Sequence, residues 1–316
     1  MDPLSDVLAL LRVQSVLSAR MEGRGHWALR FPSYRHMKFG GVLQGSRWLW
    51  VEGGTPVRLA AGDFYLLTDG RPYCVASDPD LAPEDGVAVF SSHMGTDGIV
   101  RYGDVGELNV VAAGRFTFHD DVGAQALLRL LPPVVHIPAG GAFNAPLAAL
   151  LPLVAMETVA SAPGANVAAA SLANLVLVQI LRAHLASAHQ PPGWLGAMAD
   201  ASIGRALSMM HGDVGRRWTV DDLARAIGMS RTAFSTRFRE RVGLPPLDYL
   251  TRWRMTLAAD ALRTGDASLM AIAERVGYAS DTAFSNAFKR ERGVSPGRFR
   301  ALEADHRTRE DGNRAG

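Results

Sequence analysis

Two sets of hydrogen-bonding side chains, fifty residues apart, are the part of this 316-residue sequence best suited to chemistry with another molecule. The first is Arg231, Thr232, Ser235, Thr236 and Arg239, and the second is Asp281, Thr282, Ser285, Asn286 and Lys289. Steps of one, three, one and three residues place each set on one side of an α-helix. Cations on such a face can neutralise phosphates, and short hydroxyls reach phosphates or base edges. An asparagine amide can pair bidentately with adenine, a contact worth about 1–3 kcal/mol of discrimination. Asp281 departs from the pattern, because a carboxylate repels phosphate. It fits either an acceptor for a cytosine amine or a helix cap. No P-loop, Gly-x-Ser-x-Gly or His-Glu-x-x-His motif offers a competing chemistry.

The elements around these sets repeat as well. Leu223-Ala224 recurs as Ile272-Ala273 and Ile227-Gly228 as Val276-Gly277, with an offset of 49. Ser230, Phe234, Phe238, Gly243 and Pro246 then recur as Ser280, Phe284, Phe288, Gly293 and Pro296, with an offset of 50. The extra residue falls in a turn, where Gly228-Met229-Ser230 becomes Gly277-Tyr278-Ala279-Ser280. Two copies of one helix pair are the simplest reading. In the first copy Thr219 caps a short helix from Val220 to Ile227, Gly228 ends it, and Ser230 caps a second helix from Arg231 to Val242. Phe234 and Phe238, four apart, lock the second helix onto the first. This is a helix-turn-helix. Between the copies, Leu247 to Arg263 reads as a rigid spacer helix of roughly 25 Å. It can hold two recognition helices near one DNA turn, about 34 Å, apart.

Charge divides the chain in the same place. Residues 1–190 carry 13 Lys/Arg against 16 Asp/Glu, a balance of −3, whereas 191–302 carry 17 against 11, a balance of +6. The last stretch, 303–316, is charged, contains glycine and reads as a disordered tail. A basic half that binds a polyanion, joined to a mildly acidic half, would look like this, and so would a merely soluble basic domain. Cys74 is the lone cysteine, so no intrachain disulfide forms. Val7 to Leu17 reads as an ordinary amphipathic segment. The apolar run Ala168 to Ile180 reads as too short to span a bilayer. The expectation is a cytoplasmic protein with no membrane partner.

The first half has a different texture. Residues 27–31, 48–51, 64–67, 87–90 and 108–111 read as short strands separated by Gly-, Pro- and Asp-rich turns, suggesting an antiparallel barrel or sandwich. Two Ala- and Leu-rich helices follow, split at Ser161-Ala162-Pro163-Gly164. The second, near Val167 to His189, reads as core or as a dimer surface. Gln190-Pro191-Pro192-Gly193 is a linker.

The second half resembles the AraC/XylS-type DNA-binding domain from near Ile203 to Leu302. The resemblance is carried by Trp218-Thr219-Val220, Leu223-Ala224, Met229-Ser230, Phe234-Ser235, Arg254-Met255, Gly277-Tyr278, Phe284-Ser285, Phe288-Lys289-Arg290 and Gly293-Val294-Ser295-Pro296. It implies a sequence-specific regulator of transcription with double-stranded DNA as partner, and the ten residues of the two helical faces as its contacts. The first half is similar to the cupin-type sensors of one subgroup of that family, through Tyr34-Arg35-His36, Val42-Leu43-Gln44-Gly45 and Ala60-Ala61-Gly62-Asp63. The expected fold is thus α+β: a cupin-like antiparallel β-barrel plus helices over 1–190, a linker at 191–202, and an all-α double helix-turn-helix domain at 203–302. The resemblance implies a small-molecule effector and a homodimer, with RNA polymerase a further partner.

A cupin enzyme would hold a metal with His-x-His, a nearby Glu and a later His. Here His36 is followed by Lys38, the acidic position falls within Gly41-Val42-Leu43, and the later histidine position is Tyr73. Lysine repels a metal ion, so neither metal nor cofactor is expected. An organic ligand would find walls in Trp48, Trp50 and Tyr73, and polar anchors in His36 and Arg47. A cupin metalloenzyme fused to a DNA-binding domain, and a barrel that serves only protein contacts, are the alternative readings.

Overall fold

A computed structural model describes residues 2–35, 37–118, 128, 130–141, 143–158, 162–187, 193–265 and 267–314. The chain forms two compact units, one of Leu11–Pro191 and one that combines Met1–Leu10 with Pro192–Gly316.

The Leu11–Pro191 unit is built on two sheets. One has the order β11-β6-β3-β10-β1-β9, from strands β1 (Gln14–Arg24), β3 (Met37–Gln44), β6 (Phe64–Leu67), β9 (Ile99–Tyr102), β10 (Leu108–Thr117) and β11 (Val134–Ile137). The other has the order β5-β4-β7-β2-β8, from β2 (Ala28–Phe31), β4 (Ser46–Val51), β5 (Val57–Ala60), β7 (Tyr73–Ala76) and β8 (Glu84–Asp85). Pairing is antiparallel except at two edges, where β9 runs parallel to β1 and β8 parallel to β2. Side chains from both sheets, including Trp27, Leu29, Val42, Leu49, Tyr65 and Val75, share one core. On β4 the period of two is plain: Arg47, Leu49 and Val51 are buried, while Ser46, Trp48 and Trp50 are half-buried on the other face. The Ala-Ala-Gly-Asp turn is tied by Asp63. Its carboxylate accepts from the Ala60 and Ala139 amides at 2.9 and 2.8 Å and lies 2.8 Å from His136 Nε2.

Two expectations are corrected here. Val87 to Phe90 is not a strand but part of helix α2 (Gly86–His93). Asp85 caps it, accepting from the Val87 and Ala88 amides at 2.8 and 3.2 Å. Three-to-four-residue spacing then turns Gly86 and Val89 inward. The segment Val7 to Leu17 is not one amphipathic element. Helix α1 (Pro3–Leu11) ends at Arg12, whose φ of 45° is left-handed, and β1 begins at Gln14.

Helices α3 (Ala145–Glu157) and α4 (Ala165–Ala186) follow the barrel strands. At 22 residues, α4 is long and apolar enough to cross a membrane by length and composition. It buries Ala173, Val176, Leu177, Ile180 and Leu181 within its unit, and Ser15 Oγ donates to its Ala170 carbonyl at 2.7 Å. Exposed apolar side chains remain on both helices, among them Leu153, Met156, Val167 and Leu175.

The other unit is helical: α5 (Gly193–Ala197), α6 (Ala201–Gly212), α7 (Val220–Ala226), α8 (Arg231–Val242), α9 (Pro246–Thr264), α10 (Leu269–Arg275), α11 (Asp281–Arg292) and α12 (Pro296–Arg314). The last continues through much of the stretch that composition reads as a disordered tail. Thr219 accepts from the Asp222 amide at 3.1 Å, and Asp222 accepts in return from the Thr219 amide at 3.2 Å, a reciprocal capping box for α7. Ser230 and Ser280 cap α8 and α11 through the Ala233 and Ala283 amides. The pairs α7–α8 and α10–α11 are the two expected helix-turn-helix units. Each has its own core, with Phe234 and Phe238 in the first and Phe284 and Phe288 in the second, all four fully buried. Helix α9 spans about 28 Å. It gives Tyr249 and Leu250 to the first core, and Met255, Ala258 and Leu262 to the second.

The start of the chain completes this unit through His211, whose side chain is fully buried. Its Nδ1 lies 3.2 Å from Asp6 Oδ2 on α1, its Nε2 lies 2.7 Å from the Tyr249 hydroxyl, and its ring stacks on Trp253 at 4.1 Å. A neutral imidazole satisfies both contacts, with Nδ1–H donating to Asp6 and Tyr249 donating to Nε2. Burial holds this histidine well below its usual 6.5, at about 4. An unfolded chain therefore takes up a proton near pH 6.5 that the folded chain refuses until about pH 4. Stability falls as pH drops through that window, by up to about 3 kcal/mol from this group. Denaturant unfolding at pH 4–7 should show a shallower acid loss for His211→Gln than for the unaltered chain. Equal slopes would exclude the role.

Candidate nucleic-acid interface and ligand site

Helical geometry gathers the first set of predicted contacts. At about 100° per residue, Arg231, Thr232, Ser235, Thr236 and Arg239 occupy one arc of α8, beside the arc that buries Phe234 and Phe238. Four of the five are exposed and Ser235 is half-buried. On α11, Asp281, Thr282, Asn286 and Lys289 are exposed and Ser285 is half-buried, position for position the same pattern. The two faces are thus built alike, and each carries a cation at its third turn. Arg239 and Lys289 pair with no carboxylate among the described residues. Arg231 lies 3.4 Å from Asp221, with both side chains largely in solvent, a contact of little energetic weight. Asp281 opens α11, where a carboxylate complements the helix dipole, and it accepts from Thr282 at 3.3 Å.

The neighbouring arginines have other partners. Arg237 donates to Asp200 through Nε at 2.9 Å, and Arg241 Nε lies 3.6 Å from the same carboxylate. Asp200 is itself the cap of α6, accepting from the Ser202 and Ile203 amides, and these contacts hold its carboxyl below the usual range against the opposing effect of burial. Both arginines therefore pin α8 to α6. Arg290 lies 3.6 Å from Glu291, and Arg292 donates to Thr256 on α9 at 3.0 Å.

Sequence reasoning gave no role to the tie between the two copies. Arg254, midway along α9, donates through Nε to the Val214 carbonyl at 2.9 Å and through a terminal nitrogen to the Arg216 carbonyl at 2.7 Å. Its guanidinium also stands over the Tyr278 ring at 6.0 Å. Tyr278 is the counterpart of Met229, the amides of the two donating to the equivalent Ala273 and Ala224 carbonyls, each at 2.9 Å, so Ala279 is the extra residue of the second turn. Gly277 beside Tyr278 has φ 82°, and a Cβ there would come 2.5 Å from the Gly215 carbonyl oxygen. Only glycine permits both the left-handed backbone and that approach.

In the barrel unit the proposed ligand residues separate. Arg47 and Tyr73 lie in the interior, at 3% and 8% exposure. Trp48 and Trp50 sit on the opposite face of β4 and do not join them. His36 lies outside the described residues. Lys38 and Tyr73, which stand where a cupin enzyme would place metal ligands, are hydrogen-bonded, with the ammonium donating to the hydroxyl at 3.2 Å. The ammonium is also 5.1–5.6 Å from the ring centres of Tyr73, Phe31 and Tyr34. Burial and the charge of Arg115 lower the basicity of Lys38. No cluster of three or more His, Cys, Asp or Glu side chains converges among the described residues.

Comparison with known proteins places these features in a family. Residues 2–186 match a cupin family model, and residues 223–302 match a helix-turn-helix domain model. An AraC-like transcription regulator of Streptomyces lividans is 43% identical over 95% of this chain and 98% of its own length. One from Streptomyces antibioticus is 42% identical over the same shares. The HTH-type transcriptional regulator AlkR of Acinetobacter baylyi is 29% identical over 95% of this chain and 99% of its own length. A cupin domain followed by paired helix-turn-helix units, matched end to end by such relatives, makes this chain a member of the AraC family of DNA-binding transcription regulators.

Proposed function

We propose that this regulator reads double-stranded DNA through the exposed faces of α8 and α11, under the control of an organic small molecule held in the barrel. The observation that carries the DNA reading is the matched pair of faces. Each presents hydroxyls or an amide flanked by a cation, and Arg239 and Lys289 have no carboxylate partner among the described residues. Arg237 and Arg241, pinned to Asp200, contribute structure and not contact. Helix α9 sets the two faces about one helical turn of DNA apart. The regulator acts in the cytoplasm as a homodimer, for which the exposed apolar side chains of α3 and α4 supply a surface. RNA polymerase is its partner at the promoter.

Binding to a selected site should weaken steeply with salt, each phosphate contact adding about 0.9 to the log–log slope. Arg239→Ala should lower that slope by about one and weaken all sequences alike, whereas Asn286→Ala should relax preference at one base pair. Selection of binding sites by each variant decides between these roles. An unchanged motif for Asn286→Ala would restrict α11 to backbone contacts, and a flat salt response would remove DNA contacts from both faces.

Control by a ligand is tested by thermal unfolding against a library of small metabolites, because a compound that binds only the folded state raises the melting temperature by mass action. A library without a single stabilising compound would leave the barrel a protein-contact module. Light scattering should give twice the mass of the chain, and Met156→Glu should return the monomer. A monomeric unaltered chain would dismiss the dimer.

A further inference from the structure

The exposed faces of α8 and α11 keep the same chemistry at four of their five positions and reverse it at one. Thr232 and Ser235 recur as Thr282 and Ser285, the polar Thr236 becomes the polar Asn286, and the cation Arg239 becomes the cation Lys289. The reversal falls on the opening residue of each helix, where Arg231 corresponds to Asp281. On a surface that meets phosphates, a carboxylate is repelled by DNA of any sequence. Only a specific partner on the DNA, or a task inside the protein, offsets that repulsion.

The tasks inside the protein are taken by other groups. The cap of α11 is Ser280, whose hydroxyl accepts from the Ala283 amide at 3.2 Å. In the first copy the acid Asp221 on α7 meets the cation Arg231 at 3.4 Å. Its sequence counterpart on α10 is the exposed Met270, and Asp281 forms no ion pair among the described residues. The contact from the Thr282 hydroxyl, at 3.3 Å, is long and joins two neighbouring surface residues. There remains the helix dipole, an interaction open to any carboxylate in the first turn and screened by salt. Most of the acceptor capacity of Asp281 is thus turned to solvent, on the arc of α11 that carries Asn286. When a recognition helix enters the major groove, its first residues are the ones that contact base edges. The donors on those edges are the cytosine N4 and adenine N6 amines. Adenine sets its N7 acceptor beside the amine, which repels a carboxylate, whereas cytosine offers the amine alone.

We propose that Asp281 is a specificity-determining residue, which accepts from the cytosine N4 amine of one C·G pair in the half of the site that α11 reads. Its charge acts twice. One base pair satisfies it, and every other pair leaves it facing DNA unpaired, so repulsion adds to the discrimination that the hydrogen bond supplies. This deepens the reading of α11 as a DNA-binding face and rests on it.

The test uses the full chain and double-stranded DNA. The unaltered chain, Asp281→Ala and Asp281→Asn each select sites from a random library. Their affinities are then measured on the selected site, on the three duplexes altered at the C·G pair, and on a scrambled duplex. The unaltered chain should prefer C·G at that pair by about tenfold or more. Asp281→Ala should bring the ratio near one and bind the scrambled duplex tighter than the unaltered chain, because a repelling charge is gone. Asp281→Asn should move the preference toward adenine, whose N6 and N7 an amide pairs bidentately. A carboxylate that serves only the helix dipole would lower the melting temperature of Asp281→Ala and leave the selected motif unchanged. An unchanged motif in both variants therefore overturns the proposal, as does a preference lost at a pair other than C·G, and in both cases the DNA reading stands. An unaltered chain that selects no site removes the DNA reading itself, and the proposal with it.

Discussion

The geometry of the DNA-binding unit depends on one helix being buried twice. The first half of α9 packs Tyr249 and Leu250 against Phe234 and Phe238, and its second half packs Met255, Ala258 and Leu262 against Phe284 and Phe288. An α-helix does not bend freely between two buried faces, so neither helix-turn-helix can rotate without unpacking its own core. Removing one phenylalanine from either core would cost about 3–5 kcal/mol, a large fraction of a typical domain's stability. The separation and relative turn of the exposed faces of α8 and α11 are therefore properties of the α9 sequence. Arg254 and Gly277 reinforce the seam where the two cores meet, one by gripping carbonyls of the preceding loop and the other by leaving room for it.

Arginine is the recurrent tool of this protein, and its surroundings determine what each copy does. Arg254 is half-buried and satisfied by carbonyls, so it acts as a rivet. Arg237 shares a carboxylate that already caps a helix, and so joins two elements through Asp200. Arg216 stands over the ring of Trp218 at 4.0 Å, a cation–π contact. Arg239 stands in solvent with no carboxylate partner among the described residues, and Arg47 is sealed in the barrel without one. A composition count treats all of these as one positive charge each, although their surroundings within the protein differ.

The helix-turn-helix pair was legible because its determinants are local. Thr219, Ser230 and Ser280 cap helices a few residues away, and Phe234/Phe238 and Phe284/Phe288 repeat at helical spacing, so the pattern survives without knowledge of the fold. The barrel was legible as a class but not in detail. Val87 to Phe90 carries strand-forming residues, yet it lies in a helix that Asp85 caps. On β4 the alternation of Arg47, Trp48, Leu49 and Trp50 is plain in the sequence. Which face turns inward depends on the opposing sheet, and the interior took the leucine and the arginine. The pairing of Arg237 with Asp200, across 37 residues, and that of His211 with Asp6, across 205, leave no periodic trace in the sequence.

The second of those pairings changes what the DNA-binding half is. Its first helix, α1, belongs to the same compact unit as residues 192–316, although the entire barrel sequence intervenes. The barrel is thus an insertion within a discontinuous helical body, entered after residue 10 and left near residue 191. A fragment that begins at residue 193 keeps both helix-turn-helix units, yet it lacks Asp6 and the buried Leu4 of α1. His211 then loses the acceptor for its Nδ1, and the surface that α1 covered is opened to water. A piece of this chain that keeps the Asp6–His211 contact therefore consists of two sequence segments, residues 1–10 and 192–316.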